Sequence, residues 1–337
     1  MPTDDRYSRQ VRFAPIGAKG QERLRAATVA VVGCGALGSA CAEQLARAGV
    51  GTLRLIDRDV VESSNLQRQT LYTEADAADC LPKSIAAARR IRLINIEVAC
   101  EPLVCELGAA NAVDLLRSAS LIIDGTDNFL ARHLVNEACC QLGTPWIYGA
   151  CVGAYGVSAA ILPGTTACLR CIQPDLPTAG DMPTCDTAGI IAPAVHLVAA
   201  WQVAEALKIL VGDLDAVRRE LWSCDLWHGG FQKVNLTTAR DPACPACGAG
   251  ATRPLLAGGD DPVVVLCGRD AVQVRRGALD LAAAARLLAG RTTLANGHFV
   301  RWVDGNLTAT AFADGRVLVQ GAASPVAARA FCDRWLG

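Results

Sequence analysis

Two Cys-x-x-Cys pairs are the most specific chemical signal in this sequence. Cys168 and Cys171 stand in "CLRC", and Cys244 and Cys247 stand in "CPAC". Four thiolates are the ligand set of a tetrahedral structural zinc site, which leaves no open position for catalysis. A redox dithiol is the alternative, but it does not explain why there are two pairs. The spacing therefore predicts that zinc ties a crossover segment to the end of a domain.

A glycine-rich turn predicts a nucleotide site. The apolar run "TVAVV" is followed by Gly33, Gly35 and Gly38 in a Gly-x-Gly-x-x-Gly pattern, and Asp57 ends the next apolar run. Such glycines allow a tight turn, close approach of backbone to phosphate and close packing of helix on sheet, while the acid accepts hydrogen bonds from ribose hydroxyls. The pattern alone also fits a generic strand-to-helix turn, and it does not identify the nucleotide.

The polar residues that follow Asp57 favour a nucleoside triphosphate. The segment "SNLQRQ" supplies Asn65, Arg68 and Gln69, and Lys83 stands at a predicted helix start. Arginine binds phosphate oxygens in a bidentate manner and lysine adds a point charge, although each alone would be an ordinary surface residue. A hydride-transfer site needs a flat, mostly apolar slot for nicotinamide. A NAD-dependent oxidoreductase therefore stays as an alternative rather than the main interpretation.

Two carboxylates are predicted at the same edge of the sheet. The run "LIIDGTDN" places Asp124 at a strand end and Asp127 in the loop after it. Carboxylates next to phosphate repel it unless a cation lies between them, and Mg²⁺ prefers one or two carboxylates together with phosphate oxygens. We therefore interpret Asp127 as a magnesium ligand and Asp124 as a residue that organises the loop. A structural cap is the alternative for both.

Cys185 in "MPTCDTAGI" is a candidate nucleophile. It falls in a segment rich in Pro, Gly and Thr, where a thiol is expected to be accessible. An incidental loop cysteine is the alternative. The cysteines in strand or helix patterns are predicted to fill the core: Cys34, Cys41, Cys100, Cys139 and Cys140. The four histidines show no mutual spacing that suggests a metal site or a Ser-His-Asp arrangement.

The pattern of elements predicts an α/β fold with a doubly wound, mostly parallel, Rossmann-like sheet. Short apolar runs alternate with amphipathic stretches from residue 28 to about residue 161, which is typical of βαβ units. A crossover at residues 162–189 leads to a helical run, and the zinc pair and a linker follow. We expect a first domain at residues 1–250 and a small C-terminal α+β domain at residues 251–337, with hairpins at two Asp-Gly turns.

The bulk composition excludes several classes of partner. The 337 residues carry a formal net charge of −1, and no run of about eighteen uninterrupted apolar residues occurs. Bulk electrostatics therefore give no reason to expect a nucleic acid or a membrane as partner. No secretory signal is recognisable, and sixteen cysteines point to a reducing compartment. The expectation is a cytoplasmic protein.

Several motifs in order resemble the ThiF/MoeB/HesA family, prokaryotic relatives of the ubiquitin-activating enzymes. They are "RYSRQ", "GCGALGS", "SNLQRQ", "PK", "DGTDN", "TCDTAG" and the two cysteine pairs, and they cover about residues 6–250. The resemblance implies ATP-dependent adenylation of the C-terminal glycine carboxylate of a ubiquitin-fold sulfur-carrier protein with a Gly-Gly tail. It also implies that pyrophosphate is released and that a thiocarboxylate is formed with sulfur from a cysteine desulfurase or another donor.

The resemblance also implies roles for individual residues. Asp57 matches the ribose-binding acid, Asp127 matches the magnesium ligand, and Arg9 matches an arginine that reaches ATP from the other subunit of a homodimer. The phosphate-contacting set is matched by Asn65, Arg68 and Lys83. Cys185 matches a loop cysteine implicated in thioester or acyl-disulfide chemistry, whose necessity differs between members.

The C-terminal tail indicates the type of carrier. It is similar to the extension of some ThiF-type thiamine adenylyltransferases, which favours a ThiS-like carrier and thiamine biosynthesis over a MoaD-like carrier and molybdopterin biosynthesis. Cys267 follows an apolar strand as in a rhodanese loop, but "AVQVRR" continues as alternating strand, so a rhodanese is set aside. Activation of a peptide or of a transfer-RNA-linked substrate also stays open.

Overall fold

The computed structural model describes residues 5–177, 185–259, 263–266 and 271–337, and they form two compact units. The first unit extends to Gly259, beyond the boundary that we expected near Gly250. A short helix, Pro254–Gly258, accounts for the difference. The main-chain N–H groups of Leu255 and Leu256 donate to the carboxylate of Glu137 at 3.0 and 3.1 Å, which fastens that helix to the first unit.

An eight-stranded sheet forms the centre of the first unit. Its strands are β1 (Thr28–Val32), β2 (Thr52–Asp57), β3 (Ala99–Val104), β4 (Leu121–Asp124), β5 (Trp146–Val152), β6 (Tyr155–Ile161), β7 (Glu220–Asp225) and β8 (Gly230–Asn235). Their order is β3-β2-β1-β4-β5-β6-β7-β8. The first five in this order are parallel, and β6, β7 and β8 are antiparallel additions. The predicted mostly parallel α/β sheet is confirmed.

Helices cover both faces of this sheet. The helices of the first unit are α1 (Ser8–Val11), α2 (Gly17–Ala26), α3 (Ala36–Ala48), α4 (Glu74–Ala78), α5 (Lys83–Ile94), α6 (Ala112–Leu116), α7 (Phe129–Leu142), α8 (Leu169–Ile172), α9 (Cys185–Ala188), α10 (Ala192–Val211) and α11 (Pro254–Gly258). Val29 and Val31 of β1 face the core with α3, α5 and α10, and Ala30 and Val32 face the core with α6 and α7. Because alternate residues of β1 are buried on opposite faces of the sheet, every residue from Val29 to Val32 is apolar.

One helix among the described residues is long and apolar enough to cross a membrane by length and composition. It is α10, in which the most apolar window has a mean hydropathy of 1.5 and is 56% buried within the protein. The helix contacts α3, β5 and β6. These contacts are those of a helix that packs in the core of the protein.

The described residues of the second unit form a six-stranded antiparallel sheet and two helices, which confirms the predicted α+β appendage. The elements are β9 (Val263–Leu266), β10 (Ala271–Arg275), β11 (Thr292–Ala295), β12 (Phe299–Asp304), β13 (Leu307–Phe312), β14 (Arg316–Gln320), α12 (Leu281–Leu287) and α13 (Pro325–Leu336), and the strand order is β11-β12-β13-β14-β10-β9. Gly305 and Gly315 have φ of +60° and +89° at the two Asp-Gly turns. Cys267 lies outside the described residues.

Candidate active site

The glycine-rich turn between β1 and α3 is tightly packed at two of its glycines and open at the third. A Cβ on Gly33, where φ is +82°, would lie 2.7 Å from the carbonyl oxygen of Gly125, and one on Gly38 would lie 1.8 Å from that of Gly33. At these two positions glycine is required by packing. A Cβ on Gly35 would meet nothing closer than 3.9 Å, so the protein itself does not explain this glycine. The space suits a phosphate that approaches the backbone.

Asp57 ends β2 directly beside this turn. Its Oδ2 accepts a hydrogen bond from the main-chain N–H of Cys34 at 2.6 Å, and its Oδ1 accepts one from that of Asp59 at 2.6 Å. Burial raises the pKa of Asp57, and the positive charge of Lys83 opposes this shift. Each carboxylate oxygen accepts more than one hydrogen bond. The acid is therefore held rigidly and retains acceptor sites for ribose hydroxyls.

The segment after β2 places polar atoms at the same edge of the sheet. The amide nitrogen of Gln69 lies 3.9 Å from the position of a Cβ on Gly35. Asn65 Oδ1 and Gln69 Oε1 are buried without a hydrogen-bond partner among the described residues. A buried polar atom left unsatisfied costs about 1–3 kcal/mol. A bound ligand that carries hydrogen-bond donors would satisfy these two oxygens.

Two cationic side chains belong to this region of the chain. Lys83 is 6% exposed at the first position of α5, and its Nζ lies 3.7 Å from Asp59 Oδ2. Arg68 is half-buried, and its Nη1 donates to the carbonyl oxygen of Ser64 at 3.0 Å. Because a guanidinium group carries several N–H donors in a fork, Arg68 retains donors for a phosphate beside this bond.

The two carboxylates after β4 have different environments. Asp124 is fully buried, and its Oδ1 accepts from the main-chain N–H of Thr126 at 3.0 Å and from its hydroxyl at 2.7 Å. It organises the loop, as the sequence suggested. Asp127 is exposed in that loop, which leaves its carboxylate accessible to a cation.

Four cysteine sulfurs come together on the face of the sheet that α6 and α7 cover. Sγ–Sγ distances are 3.8 Å between Cys168 and Cys171, 3.7 Å between Cys168 and Cys244, and 3.5 Å between Cys171 and Cys247. All four Sγ atoms lie within 4.8 Å of one another. Zn–S bonds of about 2.3 Å in a tetrahedron place sulfurs about 3.8 Å apart. The arrangement is that of a closed four-thiolate site.

Helix α7 supports this cluster with residues that the sequence did not single out. The side chain of Asn136 is fully buried, with its Nδ2 3.5 Å from Cys168 Sγ and its Oδ1 accepting from the main-chain N–H of Leu169 at 2.8 Å. Such outer contacts orient metal ligands. Asn136 follows Arg132, which contacts Asp124, by four residues, so the two side chains share one face of α7. The sequence shows this spacing but not which residues that face contacts.

The remaining predicted residues are placed as follows. Arg9 is exposed on α1, while Tyr7 and Gln10 fasten the segment by hydrogen bonds to Asn95 and to the carbonyl oxygen of Ala48. Cys185 begins α9, and its side chain lies outside the described residues. The expected core cysteines are confirmed where they are fully buried: Cys34, Cys41 and Cys139. Cys100 and Cys140 are partly buried.

Comparisons with known proteins agree with one another. The model of the ThiF family matches residues 7–246. The chain is 44% identical to a protein of Bacillus subtilis (strain 168) named "Sulfur carrier protein ThiS adenylyltransferase", over 98% of this chain and 99% of that protein. It is 39% identical to the "Sulfur carrier protein adenylyltransferase" of Thermus thermophilus, over 72% of this chain and 90% of that protein.

The fold is similar to that of a solved structure. The crystal structure of E. coli MccB with ATP has a TM-score of 0.62 to this chain at 24% identity and covers 73% of this chain and 75% of that one. At this identity the likeness concerns the fold alone. The similarity to the Bacillus subtilis protein, in contrast, extends through the second unit.

Proposed function

This chain belongs to the ThiF family, and we propose that it is an adenylyltransferase acting on the C-terminal glycine carboxylate of a ubiquitin-fold sulfur-carrier protein. The observation that carries the proposal is the near full-length identity of 44% to a ThiS adenylyltransferase. The polar edge around the glycine-rich turn supports it, because its groups suit a triphosphate better than a nicotinamide.

In the proposed reaction, a carrier carboxylate oxygen forms a bond to the α-phosphorus of ATP. The bond from that phosphorus to the bridging oxygen breaks, and pyrophosphate leaves. The reaction needs little covalent help from the protein, but it needs alignment and neutralisation of charge. Asp57 would hold the ribose, and the glycine-rich turn, Arg68 and Lys83 would hold the phosphates.

Asn65 Oδ1 and Gln69 Oε1 would accept hydrogen bonds from donor groups of the bound nucleotide, such as ribose hydroxyls. Mg²⁺ held by Asp127 would supply further charge neutralisation at the phosphates. Arg9 would act in the site of a second copy in a homodimer. Its exposure on a segment fastened by its neighbours supports this role.

Zn²⁺ is the ion that we propose for Cys168, Cys171, Cys244 and Cys247. The donor set is all sulfur and the Sγ–Sγ distances fit a tetrahedron. Burial raises the pKa of the Cys171 thiol, and a bound cation would favour its thiolate form. The ion would be structural and would hold α8 against the segment that follows β8.

The proposed carrier is ThiS-like, and the proposed pathway is thiamine biosynthesis. A cysteine desulfurase or another protein would donate the sulfur, and the reaction would take place in the cytoplasm. The match to the Bacillus subtilis protein over both units supports this choice, since the Thermus match covers only 72% of the chain. Cys185 is the proposed thiol for the step after adenylation.

Carrier-dependent exchange of labelled pyrophosphate into ATP tests the proposal. We expect exchange with ThiS-like carriers ending in Gly-Gly, weaker exchange with MoaD-like carriers, and none with a carrier lacking the final glycine. Exchange with MoaD-like carriers alone would move the protein to molybdopterin synthesis. Binding of NAD without exchange would overturn the proposal.

A further inference from the structure

A closed ring of polar contacts joins the glycine-rich turn to the helix that carries Lys83. Its first part is the pair of main-chain bonds to Asp57, from the N–H of Cys34 and from the N–H of Asp59, both at 2.6 Å. The carboxylate thereby fixes the turn after β1 relative to the segment after β2.

Asp59 continues the ring to Lys83 through two contacts. Its carbonyl oxygen accepts from the main-chain N–H of Lys83 at 2.9 Å, and its Oδ2 lies 3.7 Å from Lys83 Nζ. The side chains of Asp59 and Lys83 are 14% and 7% exposed. Asp59 therefore contacts both the start of α5 and the ammonium group of Lys83.

Tyr72 closes the ring. Its hydroxyl donates to the carbonyl oxygen of Cys34 at 2.6 Å. The carbonyl oxygen of Lys83, at 3.3 Å, is a second and more distant acceptor of the same hydroxyl. Burial raises the pKa of Tyr72 well above its ordinary value, so the phenol stays a donor at neutral pH. One side chain thus contacts both the glycine-rich turn and the start of α5.

We propose that Tyr72 and Asp59 are positioning residues that hold Lys83 and the glycine-rich turn in one geometry before nucleotide binds. A lysine side chain loses rotamer entropy when it is ordered, and ordering it in advance removes that cost from nucleotide binding. The catalytic consequence rests on the proposed function. The ring itself does not, so the two are tested separately.

Hydrogen exchange of the nucleotide-free protein tests the ring. We expect Tyr72→Phe to speed amide exchange several-fold in two segments distant in sequence, residues 33–38 and 83–86, with little change in the global unfolding midpoint. Tyr155→Phe, at a tyrosine that is 46% exposed, is the matched control and should change neither segment. Unchanged exchange in both segments, or a change at residues 33–38 alone, would overturn the ring.

Pyrophosphate exchange tests the positioning role. We expect Tyr72→Phe to lower kcat/KM for ATP about tenfold or more, with most of that loss absent when Lys83→Ala is already present. An equal factor in both backgrounds would show that Tyr72 does not act through Lys83. If the unaltered protein exchanges no pyrophosphate with any carrier, the proposed function fails, while hydrogen exchange still decides whether the ring orders the site.

Discussion

Arg132 Nε lies 3.2 Å from Asp124 Oδ2, and both side chains are buried. Nη2 of the same guanidinium donates to the carbonyl oxygen of Thr126 at 2.7 Å. Asp127 is the next residue of that loop and is exposed. The buried pair therefore fixes the backbone from which the candidate magnesium ligand projects.

Replacing Arg132 by Leu should strongly destabilise the protein. Removal of one partner leaves the buried carboxylate of Asp124 without its cation, which costs about 3–5 kcal/mol. Urea unfolding measures this loss. Arg117→Leu is the control, because its pair with Asp114 is exposed and should be worth less than about 1 kcal/mol. Equal effects of the two substitutions would contradict a buried ion pair.

His133 should make stability depend on pH. Burial, with the charges of Arg170 and Arg132, lowers its pKa to about 4. Between pH 4 and about pH 6.5 the histidine is therefore protonated in the unfolded chain but not in the folded one. The free energy of unfolding consequently decreases as the pH falls through that window. We expect the wild type to lose about 2 kcal/mol relative to His133→Leu between pH 7.5 and pH 5. A pH-independent difference would show that His133 titrates normally.

Ser118→Gly should stabilise the protein by about 0.5–1 kcal/mol. Ser118 is exposed with φ of +64°, a conformation that costs a residue with a Cβ more than glycine. Gly143→Ala is the reverse experiment at φ of +69°, where a Cβ meets nothing within 4 Å, so only backbone strain is added. Thermal unfolding should move the two midpoints in opposite directions.

Zinc binding is expected to need the cysteine cluster and not the neighbouring thiol. Cys168→Ser should leave the purified protein with far less than one zinc per chain, because three thiolates hold the ion much less tightly than four. Cys140→Ser is the matched control, since that side chain contacts Cys168 but lies outside the group of four. Metal content by mass spectrometry decides. Full zinc content in the Cys168→Ser variant would remove Cys168 from the proposed ligand set, and equal loss from both variants would show that the loss is not specific to the four cysteines.

Local sequence patterns predicted the sheet and the residues along its edge. Contacts between segments that are distant in sequence could not be predicted from such patterns. That Gly33 and Asp57 lie side by side could be predicted, because a turn and a strand end have local signatures. The contacts of Tyr72 and Arg132 could not be predicted, since a buried tyrosine or a helical arginine has no sequence signature for its partner. The domain boundary shifted because Glu137 holds α11, a contact more than a hundred residues apart in sequence.

Asp127→Ala should abolish carrier-dependent pyrophosphate exchange without unfolding the protein. The side chain is exposed, so its removal should change the free energy of unfolding by less than about 0.5 kcal/mol. Loss of a magnesium ligand at the phosphates should lower the rate by about a hundredfold or more. The experiment measures exchange over a range of Mg²⁺ concentrations beside the thermal midpoint, with Asp114→Ala as the exposed-carboxylate control. Full exchange by Asp127→Ala at low Mg²⁺ would remove Asp127 from the metal site, whereas recovery at high Mg²⁺ would support its role as a ligand.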